Sequence, residues 1–287
     1  MASEIKFDFA QIGGVRLHYA TAGKGAKLVV LLHGFPEFWY SWRHQIAALS
    51  DEYTVVAPDM RGFNLSDKPK AVSEYETAKL VDDITGLIQY FGREKAAVIG
   101  HDWGATVAWT LAMKHPEYVW KLGALQVPPM PVWRKNQTLK QFLASWYMFF
   151  FQLPVLPELL LKLNDYAPLA NGLRNSTAEA DFFTDEHIAE YKKAWSEPFA
   201  LTSMLNYYRA NVIKRFFSKA ETPPRIKVPT VFIYGEQDQA ILPETVKGVG
   251  EFIEAPFEEF RVPTSAHWVQ QEASDAVTEI LREFLAE

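Results

Sequence analysis

The sequence predicts an α/β protein: a mostly parallel, eight-stranded sheet flanked by helices, interrupted once by an all-helical insertion. Three observations predict it. Short apolar runs bounded by turn residues alternate with segments of helical period, as a parallel sheet covered on both faces requires. The alternation stops at Pro128, Pro129 and Pro131 and resumes near residue 219, leaving about 85 residues of helical period between. The residues best suited to chemistry fall at the carboxyl ends of predicted strands, where open α/β sheets build their sites.

Residues 4–12 and 15–20 read as a hairpin, because Phe7, Phe9, Leu17 and Tyr19 alternate with polar neighbours and Gly13-Gly14 supplies the turn. Residues 27–32 are continuously apolar after the first, as in a strand buried on both faces, and end in His33-Gly34-Phe35-Pro36. A helix over 39–49 leads to a second buried strand, 53–58, ending in Asp59-Met60-Arg61-Gly62. Residues 77–91 carry Leu80, Ile84, Leu87, Ile88 and Phe91 at helical spacing. The small apolar strand 96–99 runs through Gly100-His101-Asp102-Trp103-Gly104 into a helix over 105–114, and 121–127 is the next strand. In the insertion, helices are expected over 139–151, 158–164, 185–195 and 198–216. Strand 228–234 then ends in Gly235-Glu236-Gln237-Asp238, strand 257–262 precedes Ser265-Ala266-His267, and a helix over 274–285 closes the chain. The expected division is a core of residues 1–130 and 219–287 with a helical cap of residues 131–218.

Composition narrows the function. The chain contains no cysteine, which excludes disulfides, thiolate catalysis and cysteine-based zinc sites. A formal charge of -6 gives no basic footprint for nucleic acid. The most apolar run, 146–161, is broken by Gln152, Pro154 and Pro157 and is shorter than the roughly 20 residues of a spanning helix. The first residues show no apolar stretch of the signal-peptide kind. The expectation is a cytoplasmic enzyme, monomer or homodimer, with no membrane or nucleic-acid partner. Nine Trp and twenty Phe are many for this length and suggest an aromatic-lined pocket.

The stretch Gly100-His101-Asp102-Trp103-Gly104 has the layout of a nucleophile elbow, Gly-x-Ser-x-Gly, with Asp in place of Ser. The flanking glycines fit a strand-to-helix turn too tight for a Cβ, with its central residue held in strained backbone. A second acid, Asp238, and His267 follow later strands, which gives the order nucleophile, acid, histidine. A carboxylate needs no base to attack a saturated carbon bearing a leaving group, and the product is an alkyl ester on the enzyme. The base is needed afterwards: His267, oriented by Asp238, would deprotonate the water that attacks the ester. The backbone N–H groups of Phe35 and Trp103 are placed to hold the oxyanion of that step. Glu236 competes with Asp238 for the acid role, whereas His33 and His101, in tight glycine turns, read as structural.

Together, His33-Gly34-Phe35-Pro36-Glu37, Gly100-His101-Asp102-Trp103-Gly104, Asp238 and His267-Trp268 resemble the α/β-hydrolase-fold epoxide hydrolases, over essentially the whole chain including the cap. The resemblance implies two cap tyrosines that hydrogen-bond the epoxide oxygen. It places these roles on Tyr147, within Trp146-Tyr147-Met148-Phe149-Phe150-Phe151, and on Tyr208, within Asn206-Tyr207-Tyr208-Arg209. Tyr207 is adjacent, and on a helix only one of the two can face the pocket. Phe35, Pro36, Trp103, Trp146, Phe150 and Trp268 are the expected pocket wall. Further cap aromatics (Phe149, Phe151, Trp195, Phe199) suggest an apolar epoxide of moderate size, reacting with water and needing no cofactor or metal. Two positions depart from the family pattern: Ala266 and Asn64, where Gly or a small residue is usual.

Two rival functions share these motifs. A haloalkane or haloacetate dehalogenase would use the same aspartate, with Trp103 as a halide donor; Phe35 offers no side-chain donor for halide, and the turn at Asp102 holds no arginine for a carboxylate. A non-catalytic small-molecule receptor on the same fold has no need of an Asp-His-Asp set together with two tyrosines.

Overall fold

The computed structural model describes residues 4–217 and 224–286. Eight strands form one sheet: β1 (Lys6–Ile12), β2 (Val15–Ala22), β3 (Leu28–Leu32), β4 (Thr54–Pro58), β5 (Ala96–His101), β6 (Val119–Leu125), β7 (Thr230–Gly235) and β8 (Phe257–Val262). Their spatial order is β1-β2-β4-β3-β5-β6-β7-β8. The first hairpin pairs antiparallel, and β2 meets β4 antiparallel, while every later pair is parallel.

The pleat divides the core. Leu28, Val30 and Leu32 of β3 join one buried cluster, and Val29 and Leu31 join another on the opposite face. Both sets are fully buried, which is why the strand reads as a continuous apolar run. The second cluster is closed by the helices Arg43–Leu49 and Ser274–Ala286. The first carries the helix Trp103–Lys114 and also Tyr191, Trp195 and Tyr207 of the segment between β6 and β7. That segment is therefore packed onto the same core as the sheet.

The segment from Met130 to Phe217 is helical, as expected, but more finely divided. In place of one helix over 139–151 there are two, Leu139–Ala144 and Trp146–Phe150, separated at Ser145. Met130–Lys135 and Leu163–Asn175 are helices that periodicity did not reveal. Both contain proline, and in the second Asn164, Asp165 and Tyr166 have positive φ, so its regular turns begin only afterwards. The expected cap boundary at residue 218 lies outside the described residues. Contacts tie this segment to the sheet loops: Trp195 Nε1 donates to the Pro36 carbonyl at 2.7 Å, and Tyr207 Oη to that of Arg61 at 2.7 Å. Arg61 is held in turn by a buried two-pronged pair with Asp83 at 2.6 and 2.8 Å. No helix among the described residues is long and apolar enough to cross a membrane.

The turn after β5 has no spare volume. A Cβ on Gly104 would lie 2.1 Å from the Leu32 carbonyl oxygen, and one on Gly34 would lie 2.3 Å from the Asp102 side chain. Because the first obstacle is backbone, Gly104→Ala is expected to cost about 3 kcal/mol, the upper range for overpacking. Urea unfolding of the purified variant measures this, and an unchanged midpoint would mean that β3 can move away.

Candidate active site

Asp102 follows β5 and precedes the helix Trp103–Lys114, with φ 52° and ψ -117°. A non-glycine residue adopts such a conformation only when its surroundings over-determine it. Here β3 and the first turn of the helix do so, and the result aims the carboxylate away from the sheet edge. The Phe35 N–H donates to Asp102 Oδ1 at 2.8 Å, and the Trp103 N–H bonds the same carboxylate. Burial raises the Asp102 pKa; the charges of His267 and His101 and these two N–H groups oppose the rise without cancelling it.

His267 stands beside it, with Nε2 3.9 Å from Asp102 Oδ2. Its Nδ1 bonds Asp238 Oδ2 at 2.7 Å. Asp238 is 3% exposed and fully engaged: Gln126 Nε2 donates to Oδ2 at 2.7 Å, and the N–H groups of Ala240 and Ile241 donate to Oδ1 at 2.7 and 2.9 Å. Glu236, the competing acid, is exposed. Burial lowers the His267 pKa, but the charge and hydrogen bond of Asp238, then the charge of Asp102, outweigh it and carry it up to about 9. Gln126 was not found by sequence reading. It has φ 64°, and it also ties Ala266 O at 2.8 Å and Gly235 N at 2.6 Å, locking together the two loops that carry Asp238 and His267.

Behind His267 lies a second buried pair. His101 Nε2 donates to the His267 carbonyl at 2.8 Å, and Nδ1 meets Glu37 Oε2 at 2.7 Å. Burial raises the Glu37 pKa, but His101 brings it below the ordinary carboxyl value. Gln270 and Gln271 donate to its Oε1 at 2.9 and 3.0 Å, and the Gly34 N–H to Oε2 at 3.3 Å.

Two phenols close the site. Tyr208 is 2% exposed, its ring 6.0 Å from that of Tyr147 and perpendicular to Trp103 at 5.2 Å. The Trp103 indole, which can only donate, hydrogen-bonds Tyr208 Oη. Burial first, then the Asp102 charge, pushes both phenols well above their usual pKa, so both keep their protons. Tyr207 points elsewhere, to the Arg61 carbonyl. A cavity of about 270 Å³ opens onto Asp102, Trp103 and Tyr208 and continues between Val127–Gln137 and the helix carrying Val212. Among the described residues no group of three or more His, Asp or Glu side chains is placed to hold a metal ion.

A family model described as the alpha/beta hydrolase fold matches residues 27–274. The chain is 44% identical to the AB hydrolase superfamily protein YfhM of Bacillus subtilis, over 98% of each chain. It is 36% identical to epoxide hydrolase 3 of Xenopus tropicalis over 281 residues, which is 96% of this chain and 76% of the relative. The crystal structure of Bacillus megaterium epoxide hydrolase in complex with an inhibitor superposes with a TM-score of 0.87 at 30% identity, covering 98% of this chain and all of that one. The chain belongs to the α/β-hydrolase-fold epoxide hydrolases.

The epoxide hydrolase structure distributes the remaining expected residues unevenly. Of the six expected wall residues, Trp103 lines the cavity beside Asp102, and Phe35 packs against Tyr208 at 5.4 Å. Pro36 is buried under Trp195. Trp146 is a correction: it is 64% exposed and packs on Phe150 rather than walling a pocket. The reason is helical phase. Tyr147 and Phe151, four residues apart, face Tyr208, so Trp146 and Phe150 share another face. Phe150 sits at its edge, half-buried. Trp268 is buried, and its indole donates to Ser176 Oγ at 2.8 Å. Asp59 is structural, bonded to His18 at 2.6 Å, to the Trp39 N–H and to Asn64. Asn64 has φ 40°, a conformation asparagine tolerates, so this departure from the family pattern leaves the loop in place.

The raised His267 pKa has a consequence for stability. Protonated His267 favours the folded state fully below the unfolded value of 6.5, and that contribution is lost as pH rises through about 9. The unfolding temperature should therefore fall between pH 6.5 and 9.5, and His267→Gln should flatten that fall. Parallel slopes in the two proteins would show that another group titrates.

Proposed function

We propose that this epoxide hydrolase converts a small apolar epoxide and water to a vicinal diol through an alkyl ester on Asp102. Oδ2, the oxygen turned toward His267 rather than Phe35, attacks an epoxide carbon. The C–O bond breaks toward the epoxide oxygen, which takes a proton from Tyr147 or Tyr208. A phenol suits this step because its O–H can be given up to an alkoxide, a much stronger base than phenolate.

Ester formation also removes the Asp102 charge, one of the groups holding the His267 pKa up. His267 then loses its proton more readily and becomes the base that the second step requires. It takes a proton from water, which attacks the ester carbon; the charge gathers on Oδ1, facing the Phe35 and Trp103 N–H groups. Collapse returns the carboxylate and expels the second diol oxygen. The two protons of the water restore the tyrosine and complete that second hydroxyl. Residues 131–218 serve as the cap that brings the phenols over the core of residues 1–130 and 219–287.

The observation that carries this reading is the bracketing of one carboxylate: Oδ1 on a backbone N–H at 2.8 Å, Oδ2 3.9 Å from His267, and two protonated phenols nearby. The bond from the Trp103 indole to Tyr208 supports it over dehalogenation, since a halide would have to compete for that donor.

Asp102→Ala should abolish diol formation from styrene oxide. His267→Gln should still form the ester and stall, adding one epoxide mass to the intact protein. Multiple turnover in that variant would sink the role of His267. Tyr147→Phe and Tyr208→Phe should each slow turnover by roughly tenfold and the double variant by about 10³-fold, within the range of a general acid. In the wild type, the rate of ester hydrolysis should rise with pH around a midpoint below about 9, the value of the free enzyme.

A further inference from the structure

We propose that the outer face of residues 139–163 docks on the surface of an anionic phospholipid membrane. The proposal does not rest on the reaction at Asp102.

Two short helical stretches are turned inside out. Leu139, Phe142, Leu143 and Trp146 recur at i, i+3, i+4 and i+7, the spacing of one helical stripe, yet they are 46–75% exposed. The buried side of that stretch is polar. Gln141 and Ser145 are buried, and Gln141 donates to the Ala240 carbonyl at 2.8 Å and accepts from the Leu242 N–H at 2.9 Å. Leu156, Leu159, Leu160 and Leu163 repeat the spacing and are 40–60% exposed, while Pro157 is buried. Among the described residues, ten of the sixteen exposed large apolar side chains lie in this one segment. A stripe of this kind ordinarily faces a core, and an apolar face left outside marks an interaction surface.

The link between the stripes has its polar groups occupied internally. Arg209 donates to the carbonyls of Phe151 and Leu153 at 3.0 and 2.7 Å and grips Glu158 with two bonds at 2.7 and 3.0 Å. Gln152 donates to the Met148 carbonyl at 2.8 Å. Pro154 and Pro157 have no N–H to satisfy, and the Pro154 carbonyl accepts from the Leu156 N–H at 2.7 Å. Such a segment can leave water with few polar groups to strand. Between the prolines, Val155 is exposed at φ 66°, a conformation rare for a β-branched residue. Strain there holds an apolar side chain outward, where it adds nothing to the core.

Charge selects the occupant. The exposed charges of residues 139–163 are Lys140 and Lys162, one beside each stripe, and neither has an ion pair among the described residues. The chain as a whole carries -6. Lysines beside Leu, Phe and Trp suit the headgroup region of an anionic bilayer. A second copy of the chain fits worse, because a two-fold contact would set lysine against lysine with no exposed carboxylate in the segment to pair them. A protein partner also fits worse. Seven of the ten exposed side chains are leucine, whereas protein interfaces are anchored by Tyr, Trp and Arg. The expectation of no membrane partner rested on the lack of a spanning run, which a peripheral contact does not need.

The test is flotation of the purified full chain with vesicles of phosphatidylcholine alone or mixed equally with phosphatidylglycerol, at low salt. Binding should be about tenfold tighter to the anionic vesicles. Lipids brominated in their acyl chains should quench tryptophan fluorescence, and Trp146→Phe should remove that quenching, since Trp146 is the one exposed tryptophan of nine. Leu139→Ser with Leu159→Ser should weaken binding roughly tenfold or more. Lys140→Gln with Lys162→Gln should remove the preference for phosphatidylglycerol. Unchanged urea midpoints separate lost docking from lost folding, and should a variant fail to fold, flotation of the wild type still decides. No flotation with either vesicle would overturn the proposal, as would equal binding to both compositions or quenching that survives Trp146→Phe. A wild type that does not float but forms a dimer, broken by Leu139→Ser with Leu159→Ser in sedimentation velocity, would assign the face to a second copy instead.

Discussion

The backbone at Asp102 is the constraint on which the site depends. At φ 52° the residue turns its carboxylate out of the sheet while the helix behind it starts at once. That is possible because Gly34 and Gly104 let β3, the Asp102 side chain and the helix approach closer than any Cβ would permit. The same close approach brings the Phe35 N–H to 2.8 Å from Oδ1. Strain, glycines and N–H cradle are one feature: relaxing the backbone would withdraw the carboxylate from its donors. The energy stored there is met by the fully buried β3 and β5, which cannot shift without exposing apolar surface on both faces.

Burying this much charge requires an exact pairing of opposite signs. His267 lies between Asp238 and Asp102, and His101 lies between Glu37 and the His267 carbonyl. Each buried carboxylate has several donors, so none is left uncompensated. The arrangement is also unequal. Asp238 has four short donors, whereas Asp102 meets His267 only at 3.9 Å, beyond hydrogen-bond length. The imidazole is oriented by the first acid and left available to the second, which fits a base that acts only after Asp102 has changed.

Much of this was legible in the sequence because it follows from period and turn chemistry. Apolar runs, with alternation in the first hairpin, marked the strands to within a few residues, and the glycine-flanked Asp102 stood out from spacing alone. The positions that escaped notice lack a local signal. Gln126 is one polar residue at the end of a strand, and its role comes from two distant loops converging on it. Ser145 breaks a helix that hydrophobic period alone would continue to Phe151. Trp146 looked like pocket wall because an aromatic run does not reveal its phase. Some of the aromatic content joins the segment between β6 and β7 to the sheet side: Tyr191, Trp195 and Tyr207 are fully buried there, while Trp146 and Phe199 are 64% and 70% exposed.

Adjacent tyrosines show how that joining selects chemistry. Tyr207 and Tyr208 are one residue apart on the helix Ala200–Phe217, so they point about 100° apart. Tyr207 spends its hydroxyl on the Arg61 carbonyl, within a contact that also holds Arg61 to Asp83. That bond fixes the rotation of the helix, and the rotation delivers Tyr208 to Trp103 and the cavity. A buried structural hydrogen bond on one residue therefore sets the direction of the donor on the next. The helix Ala200–Phe217 is positioned by its packing on the sheet side, and the phenol beside Asp102 is placed by that packing rather than by any local preference of its own.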